Sequence, residues 1–162
     1  MMEFKIEQLA LCPRDPSAAK ELLTAMGAGD WAEDHVVAAG KVFGEEARNE
    51  ANLSFSYQML GAGNELELLS YTAGANWMDE RAGINPHRVS HLGMHCSAED
   101  LVEWRKFFAA RNIPVAQEVM TESHTNPAID GKRLYNYVIF DTWAILGVDI
   151  KLIVRRHVGS DL

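Results

Sequence analysis

The 162-residue sequence has no apolar run approaching the roughly 20 residues a membrane-spanning helix needs. Cysteine is scarce as well. Cys12 and Cys96 are too few for a disulfide framework at this length, and each follows a strand-like run, so both read as buried free thiols. Basic residues number 15 against 23 acidic ones, and the net charge of −8 argues against a nucleic-acid surface, which wants clustered Lys and Arg. A Gly-rich phosphate cradle, a paired-cysteine zinc pattern and a serine nucleophile elbow are all missing, which argues against nucleotide hydrolysis, zinc-finger roles and serine hydrolysis. The N-terminus lacks a charged-then-apolar signal pattern, so a cytoplasmic protein is expected, with no nucleic-acid or membrane partner. What is present is an ordinary globular composition, 48% hydrophobic and 23% charged, long enough to bury one real core.

The most informative feature is an internal duplication. Ile6–Cys12 lines up with Val89–His95 at an offset of about 83, and Gly63–Leu69 with Gly147–Ile153 at about 84. Between these anchors Leu22 and Leu23 correspond to Phe107 and Phe108 if two residues are inserted in the second half. Three matches in one order at nearly one offset point to two copies of one unit.

Each copy reads as strand, helix, then three strands. The first strands are Phe4, Ile6 and Gln8 on one face and, in the second copy, Val89, His91 and Gly93. The helices are entered through Asp15-Pro16, an N-cap with proline at the first turn, and through Ser97 with Asp100 three residues on. Leu101, Trp104, Phe107 and Phe108 make an apolar stripe that should pack on a sheet, and Gly27 and Asn112 stand where the helices should stop. The closing strands are expected near Val36–Val42, Leu53–Leu60 and Glu65–Tyr71, then Ala116–Met120, Tyr135–Phe140 and Val148–Val154. Phe43–Asn52 and Thr121–Lys132 read as long loops, and Thr72–Pro86 as the connector. The expected organisation is α+β: βαβββ modules at 1–71 and 88–156, a connector at 72–87 and a tail at 157–162, forming one structural domain. Its curved mixed sheet should surround one pocket, with the helices on the outer face.

The duplication puts Gln8 in register with His91 and Glu67 in register with Lys151. Packed with two-fold pseudo-symmetry, these four side chains can converge, and three of the four types are competent metal ligands. The runs Val89-Ser90-His91-Leu92-Gly93-Met94, Glu65–Leu69, Tyr137–Thr142 and Gly147–Ile153 resemble the vicinal oxygen chelate superfamily, over about Phe4 to Arg156. That superfamily includes glyoxalase I, fosfomycin- and bleomycin-resistance proteins, methylmalonyl-CoA epimerase and extradiol dioxygenases. The resemblance implies a metal-dependent lyase, isomerase or dioxygenase acting on a small molecule, and a homodimer. By position it also implies a divalent metal (Zn, Ni, Mn or Fe) held by Gln8, Glu67 and His91.

Lys151 breaks the pattern, because the family expects a carboxylate there and an ammonium group cannot ligate a cation. Three readings stay open. The metal is held by three ligands with Lys151 turned outward and Asp149 or another carboxylate helping. Alternatively, Lys151 occupies the cation's place and pairs with Glu67, giving a metal-free, bleomycin-resistance-like protein that binds or sequesters a small molecule. In the third, Lys151 is itself a catalytic base or nucleophile, with Glu67 the other catalytic group.

Other polar residues have blander readings. Glu65 and Asp149 lie one period-two step from Glu67 and Lys151 but read as solvated strand ends. His95 reads as a structural histidine and His124 as a loop residue. Trp31, Trp77 and Trp143 read as gap fillers between elements.

Overall fold

A computed structural model describes residues 3–29, 31–38, 40–46, 51–60, 63–73, 89–122 and 133–157; of these, 34–38, 46, 51–58, 60, 71–73, 122, 133 and 157 are described by their backbone only. The first half runs β1 (Gln8–Leu11), α1 (Pro16–Ala25), β2 (Ala32–Ala38), β3 (Gly40–Val42), β4 (Glu45–Glu46), β5 (Ala51–Leu60) and β6 (Asn64–Ala73). The second runs β7 (Val89–His95), α2 (Ala98–Ala109), β8 (Val115–Glu122), β9 (Arg133–Phe140), α3 (Trp143–Leu146) and β10 (Asp149–His157). The ten strands among the described residues join one curved mixed sheet in the order β2-β5-β6-β1-β7-β10-β9-β8-β3-β4.

The two halves repeat one pairing scheme. β1 pairs parallel with β6, and β7 pairs parallel with β10. Between them β1 and β7 pair antiparallel, with Gln8 opposite Gly93 and Ala10 opposite His91. Shifting Gln8↔Gly93 by the repeat offset yields His91↔Ala10, so the junction carries the duplication as a local two-fold. The parallel pairs agree: Glu67 lies opposite Ala10, and Lys151 opposite Gly93.

Alternation along strands sorts the side chains onto two faces. Met94, Val138, Phe140, Ile150, Leu152 and Val154 point to the face that α2 covers with Leu101, Trp104 and Phe108. The Phe108 and Phe140 rings stack there at 4.2 Å. Both helix entries form as expected: Asp15 Oδ1 accepts from Ala18 N–H, and Ser97 Oγ from Asp100 N–H, each at 3.0 Å. Gly27 (φ 106°) and Asn112 (φ 55°) adopt the left-handed conformation just beyond the helices.

Three expectations are corrected. The first strand begins at Gln8, four residues later than the Phe4 alternation suggests; Phe4 and Ile6 are exposed, and pairing on both sides starts only where β1 enters between β6 and β7. The stretch after Phe43 is not all loop. Phe43 (φ 48°) and Gly44 (φ 83°) form a two-residue left-handed turn that joins β3 to β4 as a hairpin. Helix α3 was not foreseen; the Thr142 hydroxyl donates to the Val148 carbonyl (2.7 Å) across it, and Gly147 (φ 71°) ends it. Most of the expected connector and of the Thr121–Lys132 loop, with Trp77, His87 and His124, lies outside the described residues.

The β3–β4 hairpin has a topological consequence. β2 pairs with β5 at one end of the strand order, while β3, one residue further along the chain, pairs with β8 at the other. The sheet therefore curls until its two ends meet. Gly40 makes the contact close, since a Cβ there would stand 2.4 Å from the Glu118 carbonyl oxygen.

Candidate functional site

Opposite the helix-covered face, the two-fold junction collects polar residues. The face that carries Gln8 and Ala10 on β1 also carries Glu65 and Glu67 on β6, His91 and Gly93 on β7, and Asp149 and Lys151 on β10. Gln8, Glu67, His91, Asp149 and Lys151 are all buried. The small residues Ala10 and Gly93 stand between the long ones and leave them room. A Cβ on Gly93 would sit 2.9 Å from both Cβ and Oε1 of Gln8.

The four residues in register in the duplication do come together. Lys151 Nζ donates to Gln8 Oε1 at 3.0 Å, and His91 Nε2 lies 3.0 Å from the same oxygen. Glu67 Oε2 is 3.4 Å from His91 Nε2 and 3.9 Å from Lys151 Nζ. Among the described residues that carboxylate oxygen has no hydrogen-bond partner. The Lys151 ammonium also lies over the Tyr137 ring, 4.6 Å from its centroid, and the Tyr135 and Tyr137 rings run parallel to within 7°.

These contacts set protonation and orientation. His91 Nε2 faces an amide oxygen and a carboxylate, both acceptors, so it carries the ring hydrogen; Nδ1 then accepts from the Ser90 hydroxyl at 3.1 Å. Burial, reinforced by the Lys151 charge, lowers the His91 pKa to about 4, leaving the ring neutral at pH 7. Burial pushes the Glu67 carboxyl up, but Lys151 and His91 outweigh it and bring its pKa to about 2, so Glu67 is ionised. Gln8 has one orientation open to it: its oxygen receives Lys151 and His91, and its Nε2 donates to Glu65 Oε1 at 2.5 Å.

Two bland readings are overturned. Glu65 is no solvated strand end: it is partly buried, holds the Gln8 amide, and burial raises its pKa. Asp149 is completely buried. β6 and β10 are paired on both sides, so charged residues on them are enclosed. Tyr137 and Ser90 also belong to the site. A strand aromatic and a buried serine carry no sequence signal of their own, although Ser90 adjoins His91. His95 behaves as a structural histidine, its backbone N–H and Nδ1 both held by Glu7 Oε2 at 2.8 and 3.0 Å. Cys12 is buried and Cys96 half-buried, and neither is in a disulfide. Trp31 bridges to Thr24 through its indole N–H (3.0 Å).

As they stand, these residues do not fit a divalent metal. The cluster already holds a cation, the Lys151 ammonium, within hydrogen-bonding distance of one would-be ligand and ion-pairing distance of another. A divalent ion on the same three atoms would bring two more positive charges beside it.

No protein-family model matches the chain, and no curated protein is significantly similar to it. Among solved structures it is similar to a methylmalonyl-CoA epimerase from Mycobacterium tuberculosis, with a TM-score of 0.50, 12% identity, and coverage of 95% of this chain and 92% of that one. A second crystal structure titled methylmalonyl-CoA epimerase aligns with a TM-score of 0.43 and 14% identity over 92% and 93% of the two chains. The chain thus has the fold of a vicinal oxygen chelate protein.

Proposed function

We propose that this chain is a metal-independent protein of the vicinal oxygen chelate fold that binds a small carbonyl compound and moves a proton on it, with the Lys151 ammonium acting where metal-dependent members place a divalent cation. The observation that carries this reading is the position of Lys151 Nζ, buried, 3.0 Å from Gln8 Oε1 and 3.9 Å from Glu67 Oε2. A fixed positive charge in a dry site stabilises negative charge developing on a carbonyl oxygen. The Glu67 carboxylate, at ion-pair distance, is the proton acceptor: a substrate oxygen that engages the Lys151 ammonium draws that charge away from Glu67 and so raises its basicity. Lys151 and Glu67 are therefore the assigned catalytic pair.

Two measurements test this. Zn, Ni, Mn or Fe added to chelator-treated protein should leave the melting temperature unchanged, whereas a ligated metal would raise it by mass action. In D2O, carbonyl compounds with an acidic C–H, beginning with the methylmalonyl-CoA named for the structural neighbour, should exchange that hydrogen. Exchange should fall at least a hundredfold in Lys151→Met and Glu67→Gln. Stabilisation by metal, or turnover that survives Lys151→Met, would overturn the assignment.

A further inference from the structure

Two donors converge on one oxygen in this site, and that oxygen belongs to the protein. His91 Nε2–H and the Lys151 ammonium each lie 3.0 Å from Gln8 Oε1. Donors so arranged around a carbonyl oxygen form a cradle for a ligand's carbonyl. We infer that His91 and Lys151 make a two-donor hole for a neutral carbonyl group and that the Gln8 side-chain amide fills it at rest, as an internal stand-in for the ligand. This rests on the reading of Lys151 as the site's cation.

The chemistry of the occupant follows from what holds Gln8. Its oxygen takes two hydrogen bonds while its nitrogen donates to Glu65 Oε1, so the vacated site would present two donors and, beside them, a carboxylate acceptor. Glu67 Oε2, buried and without a hydrogen-bond partner among the described residues, offers a second acceptor. A matching ligand carries a carbonyl oxygen with an adjacent N–H or O–H, as a carboxamide or a hydroxy-carbonyl compound does. A carboxylate matches less well, because the Lys151 charge is already opposed by Glu67 and a second anion would face Glu67 and Glu65 without a donor for either.

Gly93 leaves the hole its room. Since a Cβ there would stand 2.9 Å from Gln8 Oε1, a methyl at position 93 would crowd any oxygen in the hole, so the opening has to be made at Gln8 itself. Gln8→Ala or Gln8→Ser removes the plug outright.

The probe is acetamide, with acetate as the charged control, titrated into full-length protein at pH 7 and followed by melting temperature and by the NMR signal of the His91 imidazole N–H. Gln8→Ala and Gln8→Ser should each bind acetamide at least tenfold more tightly than the parent chain, with the His91 N–H signal shifting on binding, and both should prefer acetamide to acetate. In Gln8→Ala with Lys151→Met, which keeps the space but loses a donor, the gain should disappear. If neither opened variant binds acetamide more tightly, or if the gain survives Lys151→Met, the hole is not a carbonyl site. Should one of the two fail to fold, the other answers alone. This failure is separable from that of the proposed function: metal stabilisation of the parent chain defeats the latter, whereas a metal-indifferent chain whose opened variants ignore acetamide defeats only the hole.

Discussion

At the scale of single residues, the site is governed by which groups are charged. His91 is neutral and Glu67 ionised in the folded chain, with pKa values lowered to about 4 and about 2. Both shifts place fewer protons on the folded than on the unfolded chain, so both make stability rise with pH. The His91 contribution is complete above about 6.5 and is lost as pH falls toward 4, and that of Glu67 is lost between about 4.5 and 2. Urea unfolding followed against pH should therefore show stability falling by on the order of 2–3 kcal/mol between pH 6.5 and 4. His91→Asn should abolish most of that slope; an unchanged slope would refute the burial argument. Gln8, Glu67, His91 and Lys151 were legible in the sequence because the duplication and the family resemblance singled out the same positions. Glu65 and Asp149 were misread because a Glu or Asp on a strand looks the same whether that strand lies at the edge or the centre of a sheet.

At the scale of elements, local chemistry was read most securely where it acts locally. Asp15, Ser97, Gly27 and Asn112 start and stop their helices as their capping and left-handed preferences dictate. The division of the expected Val36–Val42 strand into β2 and β3 escaped because β3 pairs with β8, which lies far along the chain. Gly40→Val gives this element a test: with the Glu118 carbonyl oxygen 2.4 Å from the added Cβ, β3 must move away from β8. The expected cost is about 1–3 kcal/mol. Exchange protection should fall at the Phe43 N–H, which donates to the Ala116 carbonyl at 2.9 Å. Retained protection would show that β8 accommodates the side chain and that the closure is loose.

At the scale of the molecule, the halves complete each other. β1 and β7 join them, and each half brings to the junction two of the four polar residues that satisfy one another there. Heat unfolding of the whole chain should be a single cooperative transition, and a polypeptide of residues 1–71 should show none, since Gln8 and Glu67 would lack His91 and Lys151. Two separate transitions in the intact chain would mean that the modules are independent domains.

The sequence by itself determined the repeat, the boundaries of α1 and α2, the mixed α+β class and the four residues that meet, because periodicity, capping and an offset of about 83 are properties of the chain read in order. Only the tertiary structure decided what those four do together. Whether Lys151 turns away from Gln8 or settles on it, and whether Glu65 and Asp149 meet water or protein, depends on which strands flank β1 and β7. Burial and Coulomb energy act across those neighbours through space, at distances that spacing along the chain does not encode.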